Sequence, residues 1–181
     1  MAKPAEPDPT TPRRPTHSDR PTHSDRATEA DLLARAVRLA LDNVTGGGAP
    51  FGALVVSDGE VVATGVNTAD RDSDPIAHAE VEAVRAACRR LGRQDLSGAV
   101  MVSSCEPCAM CHAACAVAGI TRIVYAAPKE LVPDVGGRPR PDLAEMQVAL
   151  RRLASDTVSY VPTPGAEEPF ARYVAALGGR G

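Results

Sequence analysis

Two short segments of the 181-residue chain carry side chains that can do chemistry together: His78-Ala79-Glu80, and Cys105-Glu106-Pro107-Cys108-Ala109-Met110-Cys111. Cys108 and Cys111 are three residues apart, so on a helix both sulfurs share a face within reach of one ion, and Pro107 suits the first helical position. A helix N-terminus also favours thiolates over thiols. Two thiolates and the imidazole of His78 form a borderline-soft donor set that suits tetrahedral Zn²⁺. Three protein ligands leave a fourth position open. Water held there is acidified from about 15.7 towards 7, which makes the site hydrolytic rather than structural. Glu80, beyond the ligand His78, is then placed to carry a proton from that water to the substrate and on to a departing group.

Other readings of the same residues are blander. A lone Cys-x-x-Cys in a reducing compartment also reads as a redox pair, and His78-Ala79-Glu80 tips the balance towards a metal. Cys105 competes with Cys108 as a ligand, since it also precedes its neighbour by three, but it sits before Pro107 at a strand end. Cys115, one turn beyond Cys111, reads as a small core residue, because a third thiolate would close the site. Cys88 falls on an apolar stripe and is expected in the core. His112 points about 100° round the helix from Cys111 and is expected to be a surface or packing residue.

These segments need elements to position them. Thr28, with Asp31 three residues on, signals a helix start, and Leu32 to Leu41 give it a broad apolar face before Gly46-Gly47-Gly48. Residues 51–56 and 61–66 read as strands joined by a turn at Asp58-Gly59. A helix is expected after Pro75, with Ala77, Val81, Val84, Cys88 and Leu91 on one face. A third strand over 99–102, a helix over 107–118, a fourth strand over 122–126, a helix over 141–153, a fifth strand over 158–161 and a last helix over 167–177 complete the alternation. The pattern predicts an α/β fold of three layers, α/β/α, around a mixed five-stranded sheet.

Residues 1–28 hold six prolines and the hexapeptide Pro-Thr-His-Ser-Asp-Arg twice over, with almost nothing apolar, and are expected to be a disordered tail whose His17 and His23 are solvated. Residues 29–181 are expected to form the one folded domain. Hydrophobic residues are 44% of the chain and aromatics 3%, with no Trp, so Ala, Val and Leu must fill the core. Beyond residue 28 there are 15 basic and 19 acidic side chains, which is not a nucleic-acid footprint. The arginines at 85, 89, 90 and 93, and at 138, 140, 151 and 152, therefore read as solvated helical surface. No run of 18 apolar residues and no secretory leader is apparent, so the expected location is the cytoplasm and no membrane partner is expected. Five cysteines, four of them within eleven residues, argue for reduced thiols rather than a disulfide framework.

The order His-x-Glu followed by Pro-Cys-x-x-Cys is the signature of zinc deaminases that act on nucleobases. Through it, and through Pro50-Phe51-Gly52-Ala53, the stretch from about Pro50 to Ala127 resembles the cytidine and deoxycytidylate deaminase superfamily. The form Cys-Glu-Pro-Cys-x-Met-Cys is similar to that of its bacterial guanine deaminases and tRNA adenosine deaminases. The resemblance implies a cytidine-deaminase-like fold, Zn²⁺ on His78, Cys108 and Cys111, Glu80 as the catalytic proton carrier, and a homodimer. It implies that Asn67 holds the polar edge of the base, that Phe51 lines the pocket and that the backbone of Ala79 touches the substrate. The implied reaction is hydrolytic deamination of a small-molecule nucleobase, guanine first. The alternatives are a cytosine or amino-triazine deaminase, a tRNA adenosine deaminase, and a zinc-stabilised binding module without catalysis. The guanine deaminases carry Phe-Asp-Asp after the fourth strand, whereas this chain has residues 133–142, in which Asp134 or Asp142 could substitute. Phe170 and Tyr173 either resemble an aromatic tail folded over the active site or simply anchor the last helix.

Overall fold

The computed structural model describes residues 27–134, 141–153 and 156–179. The hexapeptide repeat with His17 and His23, and also Arg138 and Arg140, lie outside the described residues, as does the side chain of Asp142. Helix α1 spans Glu29–Thr45. It starts where the sequence predicts, with Thr28 Oγ1 accepting from the Asp31 amide at 3.2 Å and Asp31 Oδ2 accepting from the Thr28 amide at 3.1 Å. This reciprocal cap satisfies two amides that have no partner within the helix.

Strands β1 (Gly52–Ser57) and β2 (Glu60–Val66) form the expected hairpin. Its two turn residues, Asp58 and Gly59, have φ of 55° and 81°, the left-handed geometry that matches the twist of the flanking strands. The remaining strands are β3 (Val100–Ser103), β4 (Arg122–Tyr125) and β5 (Val158–Tyr160), and the sheet order is β2-β1-β3-β4-β5. β1 is antiparallel to both neighbours, whereas β3, β4 and β5 run parallel. The sheet is therefore mixed, as predicted.

Helices cover both faces: α3 (Ala79–Leu91), α4 (Ala109–Val117), α5 (Pro141–Leu153) and α6 (Glu168–Gly178), besides the short α2 (Ala69–Asp72). Alternation along β1 sorts its side chains to the two faces. Leu54 and Val56 join Leu33, Ala36 and Val37 of α1 and Phe170 of α6, whereas Ala53 and Val55 join Ala79, Ala83 and Ala87 of α3 and Cys115 of α4. On the α3 face, where alanines line the helix, backbones come close. The Cβ that Gly65 of β2 lacks would collide with the Ala79 carbonyl and the Ala83 amide.

Three local expectations change. The polar loop after β2 contains α2, a single turn that periodicity cannot reveal. Helix α3 starts at Ala79 and α4 at Ala109, so Pro107 precedes α4 instead of opening it. Cys88 is half-buried at the rim of the core, its thiol 3.8 Å from the Gln94 carbonyl, and Leu91 is exposed.

Candidate metal centre

The late helix starts decide the site. His78 is the N-cap of α3 and Cys108 the N-cap of α4, both in extended conformation (φ −77°, ψ 157° and φ −74°, ψ 171°), and neither side chain caps its own helix. Both are free to turn towards each other, and Cys111, in the first turn of α4, meets them. The sulfurs of Cys108 and Cys111 are 3.5 Å apart, and each is 3.6 Å from His78 Nδ1. Around a tetrahedral zinc with its usual bond lengths, the S···S and S···N edges are about 3.8 and 3.5 Å. The three residues therefore fit Zn²⁺ in donor type and in spacing, and they are the group of possible ligands found among the described residues.

The three groups also influence one another's charge. The contact between the two sulfurs holds Cys108 far below an ordinary thiol, and the same contact with burial pushes Cys111 up. The Cys108 sulfur raises His78 above its ordinary value, against the effect of burial. Glu80, in the first turn of α3, is buried and stands beside the triangle rather than in it. Its Oε1 accepts from Ser103 Oγ at 2.8 Å, and its Oε2 lies 3.2 Å from Cys111 Sγ. Burial raises the Glu80 carboxyl above the usual carboxylate range, more than the Ser103 bond lowers it.

A cavity of about 170 Å³ opens over this cluster, with Phe51, Asn67, His78, Glu80, Cys108 and Lys129 on its walls. The sheet register brings Phe51 and Asn67 together: Gly52 pairs with Val66, and the Asn67 amide donates to the Phe51 carbonyl at 3.2 Å. The Asn67 side chain is oriented by its own chain, because its Oδ1 accepts from the Ala69 amide at 3.1 Å. That bond orients the amide and leaves Nδ2, a donor, for the cavity. Asn43 of α1 holds this corner, donating from Nδ2 to the carbonyls of Ala49 and Asn67 at 2.7 and 2.8 Å.

The other predicted residues fall as follows. The Ala79 side chain is buried against the sheet, and its backbone forms the first turn of α3. Cys105 and Cys115 are buried, and burial pushes each thiol up to about 12, as expected of core cysteines. His112 is buried, with its pKa lowered by that burial. Asp134 is exposed and is not on the cavity wall. Phe170 is in the core with its ring 6.0 Å from that of Phe51, and Tyr173 borders a small adjoining cavity with Phe51 and Val132. Both aromatics thus anchor α6, and they do so beside the pocket.

Sequence reasoning missed Ser103, Asn43, Lys129 and the partners of Glu106. Ser103 had a signal, a hydroxyl closing an apolar strand just before the cysteine segment. Arg151 departs from the solvated surface expected of it: its Nε and Nη2 donate to Glu106 at 2.6 and 2.5 Å, and its Nη2 to Glu130 at 2.8 Å.

Residues 26–127 match the family model described as the cytidine and deoxycytidylate deaminase zinc-binding region. Over 96 residues the chain is 47% identical to the guanine deaminase of Bacillus subtilis, an alignment covering 52% of this chain and 62% of the relative. Over 78 residues it is 44% identical to the tRNA-specific adenosine deaminase of Agrobacterium fabrum, covering 43% and 51% of the two. Such matches span about half to three-fifths of these curated relatives. Among solved structures, a variant of the protein NE0047 in complex with 8-azaguanine superposes with a TM-score of 0.68 at 26% identity, covering 83% of this chain and 86% of that one.

Proposed function

The chain belongs to the cytidine and deoxycytidylate deaminase family, and from that premise we propose that it is a zinc-dependent hydrolase removing the exocyclic amine of a free nucleobase, guanine first, with release of ammonia. The observation that carries the proposal is the triangle of His78 Nδ1, Cys108 Sγ and Cys111 Sγ with the Glu80 carboxylate beside it. His78, Cys108 and Cys111 hold the metal. Zinc, when bound, supplies Lewis acidity that makes water a nucleophile at neutral pH.

The protein's own residues do the rest. Glu80 takes one proton from the attacking water at Oε2 and passes it to a ring nitrogen as the C–O bond forms. It then takes the second proton from the hydroxyl now on that carbon and gives it to the amine, which leaves as ammonia as the C–N bond breaks and the carbonyl forms, a task suited to a carboxyl whose pKa burial has raised. Asn67 donates from Nδ2 to an acceptor on the base. The Phe51 ring is a flat apolar wall for a planar substrate, and the Ala79 backbone, between His78 and Glu80 of the cavity wall, is assigned a contact with the base through the family resemblance. Phe170 behind Phe51 keeps that wall in place.

The deciding experiment is an ammonia-release screen of the zinc-loaded protein over guanine, cytosine, adenine, their nucleosides and amino-triazines. Release from guanine supports the proposal, and release from cytosine or a triazine alone corrects the substrate. Glu80→Ala separates an enzyme from a zinc-stabilised binding module: it should keep its zinc and lose turnover, and unchanged turnover removes Glu80 from the mechanism. A tRNA adenosine deaminase would bind through phosphates and lose affinity steeply as salt rises, whereas a free base gives almost no slope. The excess of acidic side chains beyond residue 28 favours the free base. No helix among the described residues is long and apolar enough to cross a membrane. We extend the proposal to a homodimer in the cytoplasm, for which light scattering on the purified chain is the test.

A further inference from the structure

Glu106 lies on the wall of the proposed pocket, two residues before Cys108, yet no step of the reaction uses it. Its side chain is 3% exposed. The carboxylate receives four donors: the Lys129 amide at 3.3 Å, Gln147 Nε2 at 3.1 Å, and Arg151 Nε and Nη2 at 2.6 and 2.5 Å. A carboxylate has about four acceptor directions, so nothing remains to offer a ligand. Burial alone would push the Glu106 carboxyl up, and these donors together hold it below the usual range.

The donors come from two parts of the chain. Gln147 and Arg151 belong to α5, and Gln147 Nε2 also donates to the Pro107 carbonyl at 3.0 Å, directly before Cys108. Lys129 and Glu130 belong to the single 3-10 turn Lys129–Leu131, which is held twice: through the Lys129 amide on Glu106 and through Glu130 on Arg151. Lys129 and Val132, at either end of that turn, line the cavity together with Phe51 and Asn67.

We propose that Glu106 is a positioning residue for substrate binding, its buried carboxylate joining α5 and the 129–132 turn to the loop that presents Cys108 and so fixing the outer wall of the pocket. The inference rests on reading that cavity as the substrate site. Glu106 touches no reacting atom, so it acts on how well the base is held and not on the bond being broken.

The experiment uses the full-length zinc-loaded protein with Glu106→Gln, Arg151→Ala and Arg151→Lys. For Glu106→Gln and Arg151→Ala we expect a KM for the base raised about 10-fold, kcat within about threefold, one zinc per chain, and amide exchange at Lys129, Leu131 and Val132 about tenfold faster. Arg151→Lys, which keeps a charge on Glu106, should recover most of the KM. Arg151 is 44% exposed, so its variants test the point even where Glu106→Gln does not fold. Unchanged KM and exchange in Arg151→Ala would overturn the assignment, as would a fall in kcat at constant KM, or loss of zinc. If no base is turned over at all, the deaminase reading fails, while the exchange measurement still decides whether Glu106 holds the turn.

Discussion

Ser103, the last residue of β3, donates from Oγ to Glu80 Oε1 at 2.8 Å, across 23 residues of sequence and between two buried side chains. The bond fixes the carboxylate so that Oε2 faces the metal-binding triangle. Ser103→Ala should lower kcat about tenfold, a fraction of the 10²–10⁴ that a placed acid-base group contributes, with KM and zinc content unchanged. Ser103→Thr, which keeps the hydroxyl, should restore most of it. Steady-state kinetics with metal analysis checks this, and an unaltered kcat would show that Glu80 orients itself.

Choice between the cysteines is testable by metal retention alone. Cys108→Ser and Cys111→Ser should each weaken zinc binding at least about 100-fold, since they remove a ligand of a three-residue set. Cys105→Ala should keep one zinc per chain, because Cys105 is a buried core thiol. Zinc loss from Cys105→Ala with retention in Cys108→Ser would reverse the ligand assignment.

The close contact of β2 with α3 makes Gly65→Ala costly. A methyl there meets the backbone of Ala79 and Ala83, so α3 must move or the strand must bend, at about 3 kcal/mol. Since α3 begins next to His78, a proposed ligand, the same variant should release zinc to a chelator faster than the parent protein does. Thermal denaturation and chelator kinetics read both effects, and an unshifted Tm would refute the packing argument.

Acid should weaken the hold of Glu106 on α5. Its folded-state pKa is depressed from 4.5, so its contribution is fully present above about pH 4.5 and is lost as pH falls through the lower folded value. Arg151 is 44% exposed, so screening reduces the pair to about 1 kcal/mol. Urea midpoints of parent and Glu106→Gln proteins should differ near neutrality and converge as pH falls through the lowered folded-state value. A gap that widens in acid would contradict the sign.

The strand and helix alternation and the meeting of His78, Cys108 and Cys111 were legible because each depends on local pattern. The α1 cap, the Asp58-Gly59 turn and the spacing of Cys108 from Cys111 are rules of a few residues. What stayed hidden depends on the sheet order, which no short window contains. Ser103 reaches Glu80 because β3 lies beside β1, and Arg151 reaches Glu106 across 45 residues of sequence. Helix α4 starts at Ala109 rather than at Pro107: proline suits a first helical turn, yet the chain stays extended through Cys108, whose side chain is then free to point at His78.

The Asn67 amide, with its oxygen held by Ala69, has a fixed polarity. Inhibitor chemistry inherits that constraint. A ring whose facing nitrogen is replaced by C–H, or alkylated, meets a donor with nothing to receive it, so deaza and N-alkyl analogues should bind poorly however well they stack on Phe51.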